Sequence, residues 1–283
     1  MRWHHLPMQV YRKVNNLQGF NVKYVIQKIQ DQCTLFLYAL SYFTRVPTPA
    51  SLEFDKQQFH KANAYLPIIG LLISIVMAIV FYLCQLLFSE PISVLMMMSA
   101  ALLITGALHE DGFADCCDGF GGGYNATQRL KIMKDSAIGS YAGIGLVVLF
   151  LFKFILLGDI AGVSSYHLFM SLLISSTLSR YSALCIMQYS DYVRLQETGK
   201  VQSLANKLTT HYFMFASICA LLPLFLISLY VAVLVLFVAL IITLLLRALF
   251  IKNLKGYTGD CLGFTQQLAE ISILLLLSTV FIS

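Results

Sequence analysis

Long apolar runs constrain this chain more than any other feature. Seven stretches, at about residues 65–88, 91–109, 139–158, 167–188, 212–230, 231–250 and 266–282, are close to the roughly 20 mostly apolar residues that a bilayer-crossing helix needs. Inside lipid, every backbone N–H and C=O must find a partner within the protein, so runs of this kind fold as helices. Composition points the same way. The chain is 58% hydrophobic and 12% charged, where a soluble domain carries about 25% charged residues, so too few charges are left to cover a water-facing surface. The expected fold is all-α, a polytopic membrane bundle of about seven transmembrane helices. Residues 31–283 are expected to form one integral-membrane catalytic domain, preceded by an N-terminal extension over 1–30. The apolar piece 33–44, CTLFLYALSYFT, is too short to span and is expected to lie at the interface or re-enter.

The connections between these runs alternate in charge. Arg45, Lys56 and Lys61 precede the first run, Arg129, Lys131 and Lys134 lie in 110–138, Arg194, Lys200 and Lys207 in 189–211, and Lys252 and Lys255 in 251–265. The intervening turns, around Glu90, Asp159 and Tyr230, carry no basic residue. Positive loops stay cytoplasmic, so the N-terminus is expected inside and the C-terminus outside. Because position matters more than sum in such a chain, the net charge of +5 does not argue for nucleic-acid binding. The seven cysteines show no CxxC pair and no zinc spacing, and adjacent Cys116 and Cys117 read as small residues beside a site. No cleavable signal is evident before Lys28.

Most of the acid falls on the expected cytoplasmic side, and four carboxylates crowd into HEDGFADCCDGFGGG at 109–123: Glu110, Asp111, Asp115 and Asp118. Asp111, Asp115 and Asp118 are spaced i, i+4, i+7 and share one face of a helix. Carboxylates so placed at a membrane boundary repel one another and call for a hard divalent cation such as Mg²⁺. Small Gly112, Ala114 and Gly119 leave room for a bulky ligand, and Gly121, Gly122 and Gly123 suggest a loop whose backbone can approach phosphate oxygens. Arg129, Lys131 and Lys134 follow, with charge to offset phosphate. Acid, glycine and base in that order suggest a metal–pyrophosphate site.

A second polar motif, KGYTGDCLGF at 255–264, opens the last apolar run. Thr258 and Asp260 are candidate phosphate or metal contacts there, with a simple helix cap as the alternative. Arg180 and Glu270 lie inside apolar runs, where an ionisable residue is a functional hypothesis by default; they also fit a structural pair with each other. Lys153 is expected to snorkel to an outer helix end. His109 is a candidate base or ligand, or a packed, hydrogen-bonded histidine.

These motifs resemble the cobalamin synthase family. The central block, R-x-K-I-M-K-D-S at 129–136 and I-G-S-Y at 138–141 carry the resemblance, with F-T-R-V-P at 43–47, A-Y-L-P-I-I-G at 64–70, Y-x-R at 192–194 with Gly199, T-G-D-x-L-G at 258–263 and Glu270. The sequence departs at Ser140-Tyr141-Ala142 and Gly263-Phe264, and neither departure removes a carboxylate.

The resemblance implies Mg²⁺-dependent transfer at the bacterial inner membrane, with the site facing the cytoplasm. Adenosylcobinamide-GDP and α-ribazole, or its 5′-phosphate, would give adenosylcobalamin, or its 5′-phosphate, and GMP. Asp111, Asp115, Asp118 and Asp260 would hold the metal, and Asp118 or Asp135 would take a proton. Arg45, Arg129, Lys134 and Arg194 would clamp phosphate. A homo-oligomer, or a complex with other late corrinoid-assembly enzymes, is compatible with this picture.

Two other membrane transferases share fragments of the pattern. D-x-x-D-G at 115–119 echoes CDP-alcohol phosphotransferases, whose remaining motif is absent; D-x3-D at 111–115 echoes prenyltransferases, whose second acidic motif is missing unless Asp260 replaces it. A cation transporter fits less well, because the acids gather at one end of the spans rather than midway through several.

Overall fold

The computed structural model describes residues 8–193 and 205–282, with side chains from Tyr24 onward. These residues form a helical bundle, and the only strand-like pairing among them is one bridge between Tyr192 and Tyr257. Helix α1 (Met8–Phe43) leads through a 3-10 turn (Phe59–Tyr65) into α2 (Leu66–Gln85), α3 (Glu90–Thr105), α4 (Leu108–Gly122) and the short α5 (Ala126–Ile132). Then come α6 (Ser140–Val163), α7 (Ser165–Tyr189), α8 (Thr210–Leu221) with a 3-10 extension (Leu222–Leu226), α9 (Leu229–Leu254) and α10 (Gly259–Ile282).

Local chemistry sets several boundaries. Pro67 and Pro91 occupy first-turn positions of α2 and α3, where a missing N–H costs nothing. Ser164 and Ser228 cap α7 and α9, their side chains accepting from the His167 and Val231 N–H groups. α7 sits at the centre, packed against α2 and α10. Its small buried residues, Ser171, Ser175, Ser176, Ser179 and Ser182, let neighbouring backbones come close, as in membrane bundles generally.

Five of the seven expected spans are helices long and apolar enough to cross a membrane: α2 with its 3-10 lead-in, α6, α7, α9 and α10. The other two differ from expectation. The 91–109 run stops at Thr105, because Gly106 (φ 65°) and Ala107 (φ 57°) are both left-handed and turn the chain by 88° into α4. α3 and α4 together make a broken span or a re-entrant segment. The 212–230 run yields only the twelve-residue α8 and a 3-10 turn at Pro223. Helix α1 runs unbroken through residue 30, where an extension was expected to end; its final turns, rather than standing as a separate 33–44 segment, bury Leu35, Tyr38, Ala39 and Phe43.

Candidate active site

The bend after Thr105 throws α4 across the start of α10. The two helices touch through glycine: a Cβ on Gly112 would lie 2.9 Å from the Asp260 backbone, and one on Gly263 would lie 2.8 Å from the His109 carbonyl oxygen. This crossing brings Asp111 and Asp260, 149 residues apart in sequence, onto the wall of one cavity. The cavity has a volume of about 1220 Å³. Its lining includes Asn63 from the 3-10 turn, Lys131 and Lys134 after the acidic helix, Arg180 on α7, and the rings of Tyr192 and Tyr257.

The other expected site residues are placed differently. Asp115 lies on α4, half-buried, one turn beyond Asp111. Asp118 turns to α6: its Oδ2 accepts from the Gly139 N–H (2.6 Å) and its Oδ1 from the Ala142 N–H (2.9 Å). It thus satisfies orphan donors at a helix start, where the helix dipole also favours negative charge, and it does not border the cavity. Asp135 caps its own turn by accepting from the Ala137 N–H at 3.1 Å. Arg129 is a latch rather than part of the cavity lining: its Nε donates to the Gly123 carbonyl at 3.0 Å and its Nη1 to Asn253 Oδ1 at 2.6 Å. The Arg45 guanidinium packs over Gly106 at the α3–α4 bend. Arg194 lies outside the described residues.

Of the glycines expected to leave room for ligand or to approach phosphate, Gly112 borders the cavity, while Gly119, Gly121 and Gly123 are covered by protein. Gly121 and Gly122 form the last turn of α4 rather than a loop. Tyr141 covers Gly121, Arg129 covers Gly123 and Met133 covers Gly119. Thr258 caps α10, accepting from the Cys261 N–H at 3.4 Å and donating to Asp260 Oδ2 at 3.3 Å.

Below the cavity lies a cluster in which the direct partner of Glu270 is Lys153 rather than Arg180. Lys153 does not snorkel; it is buried and meets Glu270 at 2.8 Å. Gln266 adds a second bond to the same Glu270 oxygen at 2.9 Å, and Gln267 donates to Glu110 at 2.8 Å. Asn63, which sequence reading missed, had a signal available, since it is an amide at the mouth of an apolar run.

Among the described residues, no three His, Cys, Asp or Glu side chains gather as a protein-only metal cage. Two carboxylates on one wall, with a third a turn away, still suit Mg²⁺, which typically takes one or two carboxylates and completes its shell with water and substrate phosphate. The donor set therefore fits a substrate-completed site and not a closed one.

The capping role of Asp118 makes a prediction. Asp118→Ala should lower stability by about 1–2 kcal/mol, read as thermal unfolding in detergent, while retaining more turnover than Asp111→Asn. Unchanged stability with a turnover loss as deep as in Asp111→Asn would return Asp118 to the metal set.

A model of the cobalamin-5-phosphate synthase family matches residues 35–278. The chain is 40% identical over 249 residues to an adenosylcobinamide-GDP ribazoletransferase of Vibrio cholerae, covering 88% of this chain and 95% of that one. It is 40% identical over 256 residues to the enzyme of that name in Shewanella frigidimarina, with 89% and 97% covered, and 38% identical over 252 residues to that of Shewanella woodyi, with 88% and 97% covered. No solved structure matches the chain.

Proposed function

We infer the reaction from one premise: the chain belongs to the cobalamin-5-phosphate synthase family. We propose that it transfers α-ribazole, or its 5′-phosphate, to adenosylcobinamide-GDP, releasing GMP. The acceptor's ribose hydroxyl attacks the phosphorus that carries cobinamide. A new P–O bond forms, the P–O bond to GMP breaks, and adenosylcobalamin or its 5′-phosphate is the product.

The observation that carries this reading is the pairing of Asp111 with Asp260 on the wall of a cavity as large as 1220 Å³. Ligand pockets for ordinary small molecules run to roughly 300–1,000 Å³, and a nucleotide-linked corrinoid is bulkier than such ligands. Asp111 and Asp260 would hold Mg²⁺, which when bound supplies positive charge for the diphosphate and for the departing GMP; Asp115, one turn beyond Asp111, does not itself border the cavity. Lys134 and Lys131 bring further positive charge to the mouth. The start of α10, exposed to the cavity at Gly259, favours an anion for the reasons any helix N-terminus does. Tyr192, half-buried and packed edge-on against the buried Tyr257 ring at 5.4 Å, offers a flat face to a base or macrocycle. Since neither Asp118 nor Asp135 borders the cavity while Asp111 and Asp260 do, the hydroxyl proton is assigned to one of those two carboxylates.

The cavity is lined by the end of α7 and the start of α10, beside the basic connections, and that supports a site facing the cytoplasm. The experiment uses detergent-purified protein with adenosylcobinamide-GDP, α-ribazole and Mg²⁺, following GMP and corrinoid mass. Metal-dependent GMP together with a cobalamin-mass product is the expected result. Folded protein that instead consumes a CDP-alcohol or a prenyl diphosphate would overturn the reading.

A further inference from the structure

Arg180 has no place in the chemistry above, yet it occupies the floor of the same cavity. It lies nine residues before the end of α7 at Tyr189, which at about 1.5 Å per residue sets it roughly 13 Å down the helix. The residue is 4% exposed. It borders both the large cavity and a small pocket of about 40 Å³ that Glu110, Lys153 and Glu270 also line.

A guanidinium carries five N–H donors and does not shed its proton in a protein. Here Nη1 donates back to the Ser176 carbonyl at 2.9 Å, and Nε, fully buried, has no partner. The carboxylates whose charge reaches it are Glu270 and Glu110. Glu270 is engaged with Lys153 and Gln266, while Glu110 accepts from Gln267 through Oε1 and keeps a buried Oε2 with no hydrogen-bond partner, so neither carboxylate bonds the guanidinium. Among the described residues, Arg180 forms no ion pair. The position is nonetheless built for it. Gly70 on α2 supplies the space, since a Cβ there would lie 2.5 Å from the Ser176 carbonyl oxygen and 3.1 Å from Arg180 Cδ. A buried cation with donor capacity to spare, on a cavity that Asp111 and Asp260 also line, is matched by an anionic group with several oxygens.

We propose that Arg180 anchors a substrate phosphate at the cavity floor, its planar fork holding oxygens that enter between it and the Asp111–Asp260 wall. The proposal rests on the transferase reading for the identity of that phosphate. Lys131 and Lys134 sit exposed at the mouth, where salt and water screen them. Arg180 is shielded from both, and its fork can bind phosphate in two-point fashion. The phosphate comes either from the diphosphate of the GDP-activated corrinoid or from the 5′-phosphate of the acceptor.

The test compares wild type with Arg180→Lys, which keeps the charge and loses the fork, and Arg180→Gln. The first measurement is protection from thermal unfolding by inorganic pyrophosphate with Mg²⁺, which needs no turnover. Wild type should be protected, Arg180→Lys less so and Arg180→Gln not at all. The second is steady-state kinetics with each acceptor, where the substitutions should raise KM by about tenfold or more, as loss of a charge-assisted hydrogen bond does, with a smaller change in kcat. A rise in KM for the GDP-corrinoid with both acceptors assigns Arg180 to the diphosphate. A rise confined to ribazole 5′-phosphate, with α-ribazole unaffected, assigns it to the acceptor.

Pyrophosphate protection and KM values unchanged in folded Arg180→Gln would overturn the proposal. So would a lowered unfolding temperature in Arg180→Lys with KM untouched, since that is a purely structural role. If wild type releases no GMP, the transferase reading fails by itself. Pyrophosphate protection then decides alone, supporting the anchor if it is present in wild type and lost in Arg180→Gln, and overturning it otherwise.

Discussion

Asp111→Asn and Asp260→Asn should each lower Mg²⁺-dependent GMP release by about 10²–10³-fold, the usual scale for removing one preorganised electrostatic contact to a transition state. Phosphoryl transfer gives a protein little covalent work, so charge and position carry most of the effect. Each substitution keeps the volume of the side chain, and the glycine contacts that cross α4 over α10 involve backbone rather than these carboxylates. The fold should therefore survive, and unfolding temperature should move little. The dependence on metal separates a ligand from a bystander: raised Mg²⁺ should restore part of the activity where affinity for the cation has fallen. Turnover unchanged in either variant would remove that residue from the site. Asp118→Ala is the internal contrast, because its carboxylate holds the start of α6 through two backbone N–H groups and should affect stability first.

That contrast marks how far the sequence could be read. The spacing of Asp111, Asp115 and Asp118 is a true helical face, since all three lie on α4. The period says which residues share a face; it does not say what each one meets. Asp118 meets the start of α6, and only the return of the chain at Gly139 reveals it. The kink that aims α4 was written in Gly106, but a single glycine in an apolar run is common in membrane helices, and Ala107, also left-handed, gives no warning at all. The glycines were legible as points of close approach, though what approaches is protein: the Asp260 backbone at Gly112 and the Arg129 side chain at Gly123. Asp260 itself could be suspected from its motif, whereas its place beside Asp111 depends on two helices crossing. The 212–230 run had the length of a span and the wrong interior, because Pro223 cannot continue α8 as a regular helix.

Lys153 shows the same limit most sharply, and its consequence is large. Read alone, a lysine near a helix end reaches for water; in the fold it has a carboxylate partner 117 positions away, 2.8 Å from its Nζ, with about 10% of either side chain exposed. Lys153→Met should therefore cost about 3–5 kcal/mol of stability, because it leaves Glu270 charged and unpaired in an apolar bundle. Glu270→Gln should be comparably harmful by stranding Lys153. The double variant Lys153→Met, Glu270→Gln should regain most of the loss, since removing both charges removes the desolvation cost along with the attraction. Thermal unfolding of the four proteins in one detergent measures this coupling. Additive losses in the double variant would mean that the two side chains do not act as a pair. Recovery of stability bears on the chemistry too. Glu270 and Asp260 lie on the same helix, ten residues apart, so the pair fixes how α10 stands against α6 and thereby where Asp260 stands against Asp111. A double variant that is stable again and still turns over slowly would show that the buried pair sets the geometry of the carboxylate wall as well as the strength of the fold.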